Sequence, residues 1–210
     1  MTAVELVPSV PRLFGYFHPD GPGLLCSRLS RVVIDDGRRY LERSREQFDV
    51  ITIDPPPPVE AAGTSLLYSK EFYDVIYRRL SPSGVVQQWL PGGDAAIQAA
   101  VARALKESFP YVRVFHSLGR EGFHSLASSS AIPSRTAAEL ADGMPSTAAR
   151  DLVEWGPETS AQGQFAVILG RELPLDQLIN GAPEVPALQD DRPENEYYML
   201  RESSSVRPQH

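Results

Sequence analysis

Short strand-like runs and helix-like segments alternate along the first 115 residues, which predicts an α/β fold with a mostly parallel sheet and helices on both faces. Three observations carry this expectation. β-Branched or aromatic runs recur at residues 3–7, 31–34, 50–53, 85–90, 112–115 and 123–128, most of them closed by Gly, Pro or Asp. Segments with helical apolar spacing lie between them. Finally, Val50-Ile51-Thr52-Ile53 stops at Asp54 and Pro55-Pro56-Pro57-Pro58, because prolines lack the N–H that a ladder needs. An apolar run of this kind reads as a buried parallel strand, and ligands in open α/β sheets sit beyond the carboxyl ends of strands. Asp54 therefore stands where a site would be, although an Asp before a rigid loop also serves simply as a turn former.

The elements follow in order. Ala3 to Val7 is the first expected strand, followed by a short helical stretch carrying Leu13, Phe14 and Phe17, and then a loop over residues 18–23. After Arg31 to Ile34, Asp36 is placed to cap a helix that contains Tyr40 and Leu41. Ser69 opens a helix whose Phe72, Val75, Ile76 and Leu80 form one buried face. Asp94 caps another, with Ile97, Val101, Ala104 and Leu105 inward, and a hairpin (112–115 with 123–128) closes the series. From Ser130 the character changes to short helical pieces at 135–141, 147–155 and 175–179, with a candidate strand at 165–169. These shifts suggest a main domain over residues 1–129, a small annex over 130–202 and a frayed tail over 203–210.

Composition narrows the function classes. The chain has 210 residues, enough for one sizeable core. Its formal charge of −7 argues against a nucleic-acid partner and suits a cationic ligand, while also serving solubility. The single Cys26 excludes a disulfide framework and a cysteine metal site. His18, His116, His124 and His210 lack metal-ligand spacing and read as structural or surface residues, so no metal is expected. No apolar run approaches the roughly 20 residues of a membrane span and no signal peptide opens the chain, which makes cytoplasm the expected location. A GxGxxG turn, a P-loop and a nucleophile elbow are all missing from the sequence.

Three acids fall at or just beyond strand ends: Glu5, Asp36 and Asp54. In a doubly wound sheet a carboxylate after the second strand can accept both ribose hydroxyls, and one after the third can accept from an adenine amino group. Each has an ordinary structural use as well, Asp36 as a helix cap and Glu5 as an exposed strand-end charge.

Val4-Glu5-Leu6, Asp35-Asp36-Gly37-Arg38-Arg39-Tyr40-Leu41, Phe48 to Asp54, Leu67-Tyr68-Ser69-Lys70-Glu71-Phe72-Tyr73 and Leu80 to Val85 together resemble spermidine/spermine synthases in order and spacing. The resemblance covers roughly residues 3–128, and Asp190 to Tyr197 looks like the tail of bacterial spermidine-synthase-like proteins. It implies a Rossmann-like, methyltransferase-type sheet lacking its first strand. It also implies transfer of an aminopropyl group from decarboxylated S-adenosylmethionine, a co-substrate rather than a tightly bound cofactor, to a putrescine-like amine. Carried over by position, Asp54 is the catalytic carboxylate, Glu5 holds ribose, and Asp36 with Gly37 holds adenine. Tyr68 lines the mouth, and Gln88 matches a family glutamine to within one residue. Three departures stand out: no glycine-rich turn precedes Glu5, Pro57 replaces the family's second acid, and the connection between the last two strands is too short for a tyrosine-bearing lid. The partners implied are a small amine and a nucleoside sulfonium, with S-adenosylmethionine or methylthioadenosine as further nucleoside ligands. Sheet edges left open by the missing strand suggest a homodimer. Two other readings remain: a methyltransferase-fold enzyme using S-adenosylmethionine on another substrate, and a non-catalytic regulatory or structural domain.

Overall fold

Local sequence chemistry sets where each element begins. A computed structural model describes residues 1–54, 61, 63–119, 121–154, 156–193 and 195–196. The proline run with Pro57, and the expected tail over 203–210, lie outside these residues. Contacts divide the chain into two compact units, residues 1–46 and residues 47 onward. The division expected near residue 129 is one of sequence character, whereas this one is of contact.

The first unit contains β1 (Thr2–Glu5), α1 (Ser9–Phe17), α2 (Gly21–Leu25), β2 (Arg31–Ile34) and α3 (Gly37–Arg43). β1 and β2 form a two-stranded parallel sheet in which Glu5 stands opposite Ile34. β1 stops at Glu5 rather than running to Val7, because the Glu5 carboxylate folds forward and accepts from Val7 N–H at 2.8 Å. α3 starts where expected: Asp36 accepts from Arg39 N–H at 2.8 Å. The stretch expected as a loop over 18–23 instead contains the start of α2, where Pro22 supplies the preset φ of a first helical turn.

In the second unit, β3 (Phe48–Ile53) is followed by a 3₁₀ turn (Thr64–Leu67), α4 (Lys70–Arg79), β4 (Leu80–Pro91), α5 (Ala95–Ser108), β5 (Tyr111–His116) and β6 (Gly122–Ser128). Then come α6 (Ala137–Asp142), α7 (Ser146–Glu154), α8 (Ala161–Leu169), β7 (Glu172–Leu173) and α9 (Leu175–Asn180). The sheet order is β3-β4-β6-β5-β7. β3, β4 and β5 run one way, and β6 inserts between β4 and β5 antiparallel to both, so the sheet is mixed. The caps are the expected ones, with Ser69 accepting from Phe72 N–H and Asp94 from Ala96 N–H. Phe72, Ile76, Ile97, Val101, Ala104 and Leu105 are buried on the inner faces of α4 and α5.

Residues 165–169, expected as a strand, belong to α8 instead. Ser160 caps that helix through Gly163 N–H, and Phe165, Ile168 and Leu169 share one face at i, i+3 and i+4. A five-residue apolar run fits either period, and the cap decides between them.

β4 enters the sheet through an irregularity. Phe48 pairs with Leu80, but Val50 pairs with Val85, so Ser81 to Gly84 bulge out of register. Gly84 is buried at this point, and a Cβ there would lie 2.7 Å from Phe48 O and 3.0 Å from Ser81 N, both backbone atoms. Gly84→Ala is therefore expected to destabilise the chain by about 1–3 kcal/mol. Urea unfolding should show this as a lower midpoint at unchanged slope, and an unchanged midpoint would mean that the bulge relaxes freely.

Candidate active site

The pleat of β3 determines what Asp54 faces. Ile51 and Ile53 are buried, whereas Val50 and Thr52 point to the opposite side of the strand. Asp54 continues the Thr52 side and reaches a cavity of about 950 Å³. The sheet wall of this cavity is built from alternate residues of four strands: Thr52 and Asp54, Gln87 and Trp89, Arg113 and Phe115, His124 and Leu126. Leu140 of α6 and Phe165, Ile168 and Leu169 of α8 stand across from them. The other face of the sheet packs on α5 and α9, where Gln88, Leu90, Val114 and Phe123 meet Val101, Leu105 and Leu175.

This alternation puts the two glutamines on opposite faces of the sheet. Gln88, the expected substrate contact, is buried on the helix-packed face, where its Oε1 accepts from Tyr73 O–H at 2.6 Å and its Nε2 donates to Leu67 O at 2.8 Å. Gln87, opposite Thr52 in the ladder, faces the cavity instead. Tyr68, expected at the mouth, is buried, with 1% of its surface exposed. Burial pushes its phenol well above the ordinary value, and the negative charge of Asp54 adds to the rise, so Tyr68 stays protonated. Glu5, Asp36 and Gly37 belong to the first unit, where the carboxylates of Glu5 and Asp36 bond to nearby backbone N–H groups. Those bonds are the ordinary structural uses of both acids, and the adjacent ends of β1 and β2 bring the two residues to one end of their sheet.

His124 was not visible as a site residue from its spacing. It lies opposite Trp89 across the β4–β6 ladder, and its ring lines the cavity with Asp54. Gln87 Nε2 lies 3.2 Å from His124 Nδ1. An amide nitrogen can only donate, so Nδ1 accepts and the proton of the neutral ring sits on Nε2. Desolvation lowers the His124 pKa, against the opposing pull of the Asp54 charge. A neutral ring leaves the negative charge of Asp54 uncancelled. The one signal available beforehand was the strand period, which puts His124 and Leu126 on the same face.

Arg113 is already engaged. Its guanidinium makes a two-pronged contact to Glu172 of β7, with both N···O distances 2.7 Å, and its Cζ lies 5.2 Å from the centre of the Phe115 ring. Elsewhere the acid-rich stretch after Leu188 holds the chain beyond Asp54 in place: Glu196 accepts from Gly63 N–H at 2.8 Å and from the Ser65 hydroxyl, and Asn195 donates to Thr64 Oγ1.

A family profile described as "Spermine/spermidine synthase domain" matches residues 24–118, a span that includes Asp54, Tyr68 and both glutamines. Residues 24–118 are thus similar to a spermine/spermidine synthase domain. Polyamine aminopropyltransferase 1 of Streptomyces coelicolor is 39% identical over 89 residues, which is 41% of this chain and 17% of that protein. The fold is shared with a spermidine synthase of Thermotoga maritima (TM-score 0.61, 18% identity, 85% of this chain and 60% of that one). It is also shared with a spermidine synthase solved with the transition-state analogue AdoDATO (TM-score 0.59, 17% identity, 85% and 60%). The match thus spans about a sixth of the first relative and about three fifths of each solved structure. Among the described residues no group of three or more His, Cys, Asp or Glu could hold a metal ion, and no helix is long and apolar enough to cross a membrane.

The lowered His124 pKa has a sign that can be checked. The unfolded chain takes up the proton more readily than the native state, so acidification favours unfolding through this residue. The contribution is intact above about pH 6.5 and is lost as pH falls through the lower folded value. Asp35, Glu139 and Glu172, whose carboxyls are also held low, act only further into acid. Urea midpoints measured between about pH 5 and 8 should therefore fall less steeply for His124→Gln than for the wild type, and parallel curves would contradict the assignment.

Proposed function

We propose that this domain takes part in aminopropyl transfer from decarboxylated S-adenosylmethionine to an amine, with Asp54 as the carboxylate that holds the amine. The observation that carries the reading is the place of Asp54, at the carboxyl end of β3 and open to a cavity beside Gln87 and His124; the resemblance, which assigns the catalytic carboxylate to this position, supports it. In the reaction a neutral amine nitrogen attacks the carbon next to the sulfonium. The C–N bond forms as the C–S bond breaks, methylthioadenosine leaves with the electron pair, and the new ammonium gives up a proton. The protein's contribution to such a displacement is positioning, desolvation and a proton acceptor near the amine. Asp54 supplies the last of these, and Gln87 offers an amide to orient the amine. The resemblance assigns the nucleoside to Glu5, Asp36 and Gly37, and the AdoDATO complex of a structural neighbour is consistent with a nucleoside of that kind. Tyr68, buried as a protonated phenol beside Asp54, supports the shape of the site from behind.

Release of methylthioadenosine from decarboxylated S-adenosylmethionine, followed with a panel of amines, tests the proposal. Asp54→Asn keeps the shape and removes the charge, so turnover should fall by about 10²–10⁴-fold while methylthioadenosine affinity stays constant. Unchanged turnover in Asp54→Asn would remove the carboxylate from the mechanism. A wild-type chain that binds none of the three nucleosides and turns over no amine would favour the non-catalytic reading.

A further inference from the structure

The charges around the cavity are unevenly placed, and this selects the occupant. Asp54 is the one carboxylate among the described lining residues, and no described side chain pairs with it. Arg113 and Arg135 line the same cavity, as do His116 and His124. Apart from Thr52, Gln87, the two histidines and Ser117, the rest of the lining is apolar, formed chiefly by Trp89, Phe115, Leu126 and Phe165. A diamine with one ammonium on Asp54 has to put the second against these apolar walls or toward a guanidinium. Among the described lining residues either position offers the second cation no free carboxylate, since Glu172 is already held by Arg113, and a desolvated cation of this kind is costly. The Phe115 ring is already covered by Arg113, which removes one aromatic face that could have taken the second cation. Size points the same way. About 950 Å³ lies at the upper end of the roughly 300–1,000 Å³ typical of pockets for drug-sized ligands, far more than a four-carbon chain fills.

We infer that the cavity takes an amphipathic monoamine, with its ammonium on Asp54 and an aryl or branched alkyl body along Trp89, Leu126 and Phe165. This rests on the proposed role of Asp54 as the amine contact and changes the acceptor from a polyamine to a monocation with a hydrophobic body.

Calorimetric titration of the full chain, without any nucleoside, reads this directly. Three probes suffice: tryptamine, the alcohol of the same shape (indole-3-ethanol) and putrescine. Tryptamine should bind at least about tenfold more tightly than either of the others, the order expected of a charge-assisted hydrogen bond. Asp54→Asn should abolish the advantage of tryptamine over the alcohol and leave the affinity for the alcohol unchanged. Phe165→Ala should weaken both indole ligands and leave putrescine unaffected, and Asp54→Asn carries the test alone if that variant does not fold. Putrescine binding as tightly as tryptamine, tryptamine binding indifferent to Asp54→Asn, or no binding by any probe overturns the inference. Failure here is distinct from failure of the proposed reaction. Tryptamine bound through Asp54 with no methylthioadenosine release would leave this inference standing, whereas putrescine bound and turned over would do the reverse.

Discussion

The parallel pairing of β3 with β4 is the constraint on which the site depends. A strand alternates its side chains with a period of two, so a slip of β3 by one residue against β4 would turn Thr52 and Asp54 into the helix-packed face and bring Ile53 to the cavity beside Gln87. Two features hold the register. Ile51 and Ile53 are buried, and Gln88 is fixed by Tyr73 and Leu67, so that turning it outward would leave buried polar groups without partners. The bulge at Ser81 to Gly84 resets the count between Phe48 and Val50, which makes Gly84 part of how the site is aimed although it is remote from it.

Features that depend on a few consecutive residues were legible in the sequence. The end of β3 at Asp54, the caps at Asp36, Ser69 and Asp94, the buried faces of α4 and α5, and the terminal hairpin all follow from local rules, and the structure contains them. The misses share a different cause. Whether Gln87 or Gln88 faces a ligand depends on which side of the sheet is filled, and that is a property of α4, α5 and α9 rather than of the glutamines. His124 looked like a surface residue because its partners, Gln87, Trp89 and Asp54, come from strands 30 or more positions away. Phe165 to Leu169 is an apolar run short enough to fit a strand as well as a helix, and the Ser160 cap with the i, i+3, i+4 spacing that faces the cavity makes it a helix.

The second unit ties its site together with contacts distant in sequence. β7 is only two residues long, yet through Glu172 it supplies the counter-charge that occupies Arg113 and helps leave Asp54 as the open charge on the sheet wall. The acidic stretch near the end of the chain serves an equally local purpose: Glu196 and Asn195 clasp residues 63–65, and Glu71 accepts from Asp190 N–H at the start of α4. The matched span 24–118 includes the β3–β4 frame and Asp54. The side of the apolar cavity formed by α6 and α8 is made of residues beyond the matched span 24–118, whereas Thr52, Asp54, Gln87, Trp89, Arg113 and Phe115 of the sheet wall lie within it.

The central claim is that Asp54 and His124, 70 positions apart, face one cavity across the register of three strands. The measurement that tests it most directly is the imidazole titration of His124 by NMR in the wild type and in Asp54→Asn. The Asp54 charge holds the His124 pKa up against desolvation, so removing that charge should lower it further. An identical His124 titration in both proteins would mean that the two residues do not share a cavity, and the account of the site would fail.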